Sequence, residues 1–80
     1  MRVKIFISLK QGVLDPQGKA IEHSLHTLGY REVRDVRMGK YLDVDVEAAS
    51  RAAAEARVRE MCDKLLANPV IEDYRFEISE

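Results

Sequence analysis

Nine residues, RVKIFISLK from Arg2 to Lys10, constrain this chain more than any other stretch because they alternate. Val3, Ile5, Ile7 and Leu9 fall on one side of an extended backbone, and Arg2, Lys4, Phe6, Ser8 and Lys10 on the other. Such a period of two specifies a half-buried strand: a sheet must form, one of its faces must be covered, and the other is left to water or to a partner. Only 80 residues are present to do the covering, which is one domain, 1–80. A core of that size contributes only about 3–5 kcal/mol of net stability unless a disulfide, a metal or a partner adds to it. Cys62 is the single cysteine and cannot form an internal disulfide.

Two segments have the helical periodicity needed for a cover. From Pro16 to Leu28 the apolar residues Ala20, Ile21, Leu25 and Leu28 recur at helical spacing. Asp15 reads as the N-cap, Pro16 as the first helical residue, and Gly29 as the left-handed residue after the end. A second helix is expected from Arg51 to Ala67, capped by Ser50 and stopped by Asn68-Pro69, with Ala54, Val58, Met61, Cys62 and Leu65 on its apolar stripe. Glu55 and Arg59 form an i,i+4 pair on its wet side. A last strand, Ile71 to Ile78, places Tyr74, Phe76 and Ile78 on one face and Asp73, Arg75 and Glu77 on the other.

Between the helices, Val33 to Glu47 holds Gly39-Lys40, which resembles a two-residue hairpin turn. Parity argues against that turn, because it would set Val36 opposite Asp43 and mix apolar with acidic side chains on one face. A long strand bent at Gly39 puts Val36, Met38, Leu42, Val44 and Val46 on one face, and its unpaired edge invites another chain. The order is therefore β-α-β-α-β, with the middle element a long strand or a strand pair. Short crossovers make this an α+β two-layer sandwich on the ferredoxin-like plan: a mostly antiparallel sheet with two helices on one face. The open face would carry Phe6, Tyr41, Asp43, Asp45 and Glu47, with Arg2, Lys4 and Lys10 nearby.

Little in the chain suggests chemistry. No GxSxG, CxxC, HExxH or P-loop occurs. His23 and His26 are three apart on a helix, but no further ligand at a fixed short spacing completes a metal site. Cys62 lies on an apolar stripe with no cation beside it, as a packed core thiol would. Asp43, Asp45 and Glu47 share a strand face but are spread by about 6–7 Å per step, and pairing with Arg2 and Lys4 accounts for them. Phe6 and Tyr41 could stack bases on an open sheet, yet the carboxylates beside them repel phosphate. Thirteen basic and fourteen acidic residues give no global pull toward nucleic acid or an anionic membrane. The N-terminus has the pattern of neither a signal peptide nor a membrane span, so a cytoplasmic location is expected.

One loop breaks local rules. In LKQGVLDPQG, Leu9 to Gly18, the apolar pair Val13-Leu14 directly precedes the helix start. A hydrophobic staple would pack Leu14 on the fourth helical residue, but that residue is Lys19, and Gly18 weakens the turn. Either the chain's own core takes in Val13 and Leu14, or something outside the chain covers them.

Three pieces of the chain carry a family resemblance: LKQGVLDPQG, then VRMGKY at Val36 to Tyr41, then LLANPVIEDY at Leu65 to Tyr74. In this order and at this length the chain resembles the small PurS-type subunit of phosphoribosylformylglycinamidine synthase, nearly end to end. Ser24 stands where that family more often has a small apolar residue. The resemblance implies a non-catalytic subunit of an ATP-dependent amide-nitrogen ligase in de novo purine biosynthesis. It implies a bridge between a glutaminase subunit and a large synthetase subunit, assistance in ammonia transfer, and a homodimer or tetramer. It implies no cofactor on this chain, the ATP, Mg and glutamine being used by the partner subunits. It also gives the odd loop a purpose. Lys10, Gly12, Val13, Leu14, Asp15 and Pro16 would form a docking surface or part of a dimer seam, with Gly39, Lys40 and Tyr41 a second contact patch. Two other classes share the architecture: a small-molecule-binding regulatory α+β dimer and an RNA-binding domain.

Overall fold

The computed structural model describes residues 1–80. Strand β1 (Arg2–Leu9) lies between β2 (Gly39–Asp45) and β3 (Glu72–Ser79), antiparallel to both. Helix α1 (Pro16–Thr27) joins β1 to β2, and α2 (Arg51–Met61) joins β2 to β3, running on into a π-helical turn at Cys62–Leu66. The result is the expected α+β, ferredoxin-like arrangement.

The alternation in β1 decides where the core sits. Val3 is paired with Val44 and Ile78, Ile5 with Leu42 and Phe76, and Ile7 with Lys40 and Tyr74. Val3, Ile5 and Ile7 are buried, and α2 lays Ala54, Val58 and Cys62 on them. Ser50 caps α2 by accepting a hydrogen bond from the Ala53 amide at 3.1 Å. On the far side of the sheet Phe6 and Tyr41 touch, ring centroids 5.2 Å apart, and the Arg75 guanidinium sits 4.1 Å from the Phe6 centroid.

Three details depart from the sequence reading. The middle strand begins at Gly39 instead of running through it, and Val33 to Met38 lie outside the sheet. Gly39-Lys40 is no hairpin turn, as the parity argument required. Leu65, expected on the buried stripe, is 82% exposed, while Leu66 is half-buried and Ala67 buried. The π turn takes more residues per turn than an α-helix, so it advances the apolar stripe by one position. Glu55 pairs with Arg51 at 3.9 Å rather than with Arg59, whose guanidinium stacks on Phe76.

Helix α1 is capped as its sequence requires. The Asp15 Oδ1 accepts a hydrogen bond from the Gly18 amide at 2.9 Å. At the other end Gly29 has φ 104°, with its amide donating to His26 O and that of Tyr30 to Leu25 O. This is a Schellman closure. Packing is another matter. Gly18 is the only buried residue of α1, and no α1 side chain belongs to the core. The expected second helical cover on the sheet is thus missing from the packed interior, and the molecule is drawn out to 51 × 26 × 14 Å. Its radius of gyration is 16.1 Å, against about 12 Å for a compact chain of this length.

Two outcomes follow from this packing. Ile5→Ala, at the centre of the only core, lowers unfolding stability by about 2–5 kcal/mol in denaturant titration. Asp15 gives a pH dependence. Its carboxylate is held below the usual carboxylate range, first by the Gly18 amide and then by that of Met38, with Arg37 adding to both. A depressed folded-state pKa contributes stability above the unfolded value, near 4, that is lost as pH falls through the folded value. Thermal melts from pH 6 to pH 2 therefore show an acid-sensitive loss that is smaller in Asp15→Asn.

Candidate docking surface

Residues 10–38 leave the sheet and return to it at the same end, since Ser8 is paired with Gly39. They form an arm made of a loop, α1 and a return segment. Its neck is closed by side chains. The Asp15 Oδ2 accepts from the Met38 amide at 2.6 Å. The Arg37 guanidinium donates to Val13 O and to Lys10 O, each at 3.1 Å. Gly18 lies so close to Val36 O that a Cβ there would collide with it. Beyond α1, His26 Nε2 hydrogen-bonds Val33 O at 2.7 Å.

The arm carries most of the exposed large apolar side chains. Leu14 is 71% exposed and Leu28 72%, and Ile21, Tyr30 and Met38 are exposed as well. Leu14 meets no staple partner and enters no core cluster, so the chain's own core does not take it in. Val13 is half-buried against the return segment. Gly12 has φ 86°, a left-handed conformation that lets the loop turn ahead of them.

The residues singled out from sequence thus divide. Lys10, Gly12, Val13, Leu14, Asp15 and Pro16 form one continuous loop at the neck. Gly39 stands beside it, its Cα packed close to Ile7 O. The Lys40 side chain turns to the core side, pairs with Glu72 at 3.4 Å and donates to Leu66 O, so it closes the end of the core. Tyr41 faces the opposite way, on the open sheet beside Phe6. Arg37, Ile21, Leu28 and Tyr30 belong to the arm and were not singled out. Ile21 and Leu28 carried a signal, but as a helical stripe they read as core.

Nothing in this geometry assembles a reacting group. The open cleft between the π turn and β3, about 340 Å³, holds Lys10, Cys62, Asp63, Asp73 and Tyr74. Burial pushes the Cys62 thiol up, and burial together with Asp63 pushes the Tyr74 hydroxyl up, so neither is prepared as a nucleophile. No group of three or more His, Cys, Asp or Glu side chains converges. On the open face Asp43 is paired with Arg2 at 3.0 Å, and Asp45 lies 3.8 Å from the terminal ammonium. No helix is long and apolar enough to cross a membrane.

Comparison with known proteins assigns the lineage. The family model described as PurS, phosphoribosylformylglycinamidine (FGAM) synthase, matches residues 2–80. The PurS subunit of phosphoribosylformylglycinamidine synthase from Bacillus subtilis is 54% identical over 79 residues, covering 99% of this chain and 93% of that one. A crystal structure of B. subtilis PurS superposes with a TM-score of 0.89 over 99% of this chain and 98% of its own. A chain in the structure of PurLQS from Thermotoga maritima, 33% identical, superposes at 0.88 over 95% of this chain and 93% of its own. With a full-length family match, relatives of this identity and the same three-stranded fold, the chain belongs to the PurS family of phosphoribosylformylglycinamidine synthase.

Proposed function

We propose that this chain is the small, non-catalytic subunit of a phosphoribosylformylglycinamidine synthase, an ATP-dependent amide-nitrogen ligase of purine biosynthesis, and that it works in the cytoplasm by holding the other subunits together. The observation that carries this reading is the arm: a capped helix and loop that leave Leu14, Ile21, Leu28 and Tyr30 exposed and add no side chain to the core. An exposed apolar set of this kind marks an association surface. The second support is the absence of any prepared nucleophile, acid–base pair or convergent ligand set in the one core and its clefts.

Named relatives support a place in a multi-subunit assembly. The T. maritima chain is part of a PurLQS structure, and the relatives are called subunits. On this reading the chain bridges a glutaminase subunit and a large synthetase subunit and assists the passage of ammonia from one to the other. The glutamine, ATP and Mg are handled by those partners. The chain itself acts as a homodimer or tetramer, which would cover part of the arm. Lys10 to Pro16 form the docking loop, and Gly39 and Tyr41 extend it toward the open sheet face.

Val13→Ser combined with Leu14→Ser tests the reading. Leu14 contributes nothing to the core and Val13 is only half-buried, so the double variant keeps the far-ultraviolet circular dichroism of the parent. It loses most of its ability to co-purify with the glutaminase and synthetase subunits. Undiminished recovery of all three chains would remove the loop from the interface.

A further inference from the structure

We infer that Asp15 is the positioning residue of the arm: one buried carboxylate joins the start of α1 to the start of β2, so that loop, helix and return segment are presented as a single unit. The inference deepens the docking reading above and rests on it only for what the arm binds.

The geometry separates two jobs usually done by different groups. Oδ1 of Asp15 accepts from the Gly18 amide at 2.9 Å, an ordinary helix cap. Oδ2 accepts from the Met38 amide at 2.6 Å, across 23 residues of chain. Asp15 is only 4% exposed, the one polar side chain among the buried residues. A hydrogen bond from a backbone amide to a charged, water-shielded carboxylate is among the stronger ones available to a small domain.

That bond matters because so little else holds α1 in place. The core contains no α1 side chain. No hydrogen bond or ion pair runs from α1 to the sheet or to α2. An isolated helix of 12 residues is marginal in water. Its direction is therefore set at the neck, where Gly18 nests against Val36 O and Arg37 ties the loop carbonyls of Lys10 and Val13. Arg37 is exposed and its bonds compete with water. Asp15 is shielded, and it alone bonds to both the helix and the strand entrance.

An opening of the neck should then release α1 and the return segment while the sheet and α2 remain folded, since α1 contributes no side chain to the core. Asparagine distinguishes this from plain capping. It is as good an N-cap as aspartate. Its side chain, however, puts an NH2 donor where one of the two carboxylate oxygens stood, so either the Gly18 or the Met38 amide faces a donor in place of its acceptor.

Segment-resolved amide hydrogen exchange on the full chain, for Asp15→Asn and Asp15→Ala, is the test. In both variants the amides of α1 and Met38 exchange faster by about tenfold or more, while those of β1, β3 and α2 keep the parent's rates. Unchanged exchange at α1 and Met38 in Asp15→Asn overturns the inference, since capping alone would then account for Asp15. Equal acceleration in every segment overturns it too, because the arm would not be a separate unit. Capture of the glutaminase and synthetase subunits is measured on the same variants. If exchange changes as stated and capture does not weaken, the clasp stands and the docking reading falls.

Discussion

One helix covers one sheet, and every other feature of this molecule follows from that shortage. Val3, Ile5 and Ile7 occupy the central strand and are covered by Ala54, Val58 and Cys62 from a single helix. Only eleven of the eighty residues are buried, so the interior is close to the least that a domain can be built on. A sheet on the ferredoxin-like plan has room for two helices. Here the second is held by its ends, through a carboxylate cap and a Schellman closure, instead of by its apolar stripe. The chain therefore has little interior in which to build a reaction site.

How much of this could be read in advance depended on which physical rule was local. Alternation in β1 and β3 gave the faces correctly, because a strand's period of two is set by the backbone and needs no knowledge of neighbours. Asp15, Pro16, Ser50 and Gly29 gave the helix ends for the same reason. Leu65 was misplaced because a π turn changes the phase of a stripe, and nothing in Cys62 to Leu66 advertises it. The segment Val33–Met38 shares an apolar parity with β2, yet its hydrogen bonds go to Asp15 and His26 instead of a strand. Periodicity in α1 showed that Ile21 and Leu28 need cover. It could not show that the chain's own core leaves them exposed.

Electrostatics on the open face argues in the same direction. A three-stranded sheet with Phe6 on its central strand and Tyr41 beside it on an edge strand could serve a planar ligand. Instead, Arg75 lies over Phe6 and pairs with Glu77, while Arg2 pairs with Asp43. Such exposed pairs add little stability, about 0–1 kcal/mol each. What they do is set charges of opposite sign against each other across this face, Arg2 with Asp43 and Arg75 with Glu77. Tyr41 remains 55% exposed at the rim of this mosaic, an amphipathic side chain of the kind favoured in protein interfaces.

The loop that broke the staple rule at Leu14 and Lys19 can now be placed in this scheme. A staple would bury Leu14 within the arm and stabilise α1 locally, but it would also remove a largely exposed apolar group from the surface. Lys19 at that position keeps Leu14 free, and the capping carboxylate of Asp15 takes over the task of holding the helix start. Covering the arm then does two things at once. A partner that binds only the folded chain raises its stability by mass action, and it does so at the one element that lacks internal packing. Local weakness in α1 and any stabilisation by a covering partner would thus meet in one element, which is joined to the entrance of β2 through the neck at Asp15.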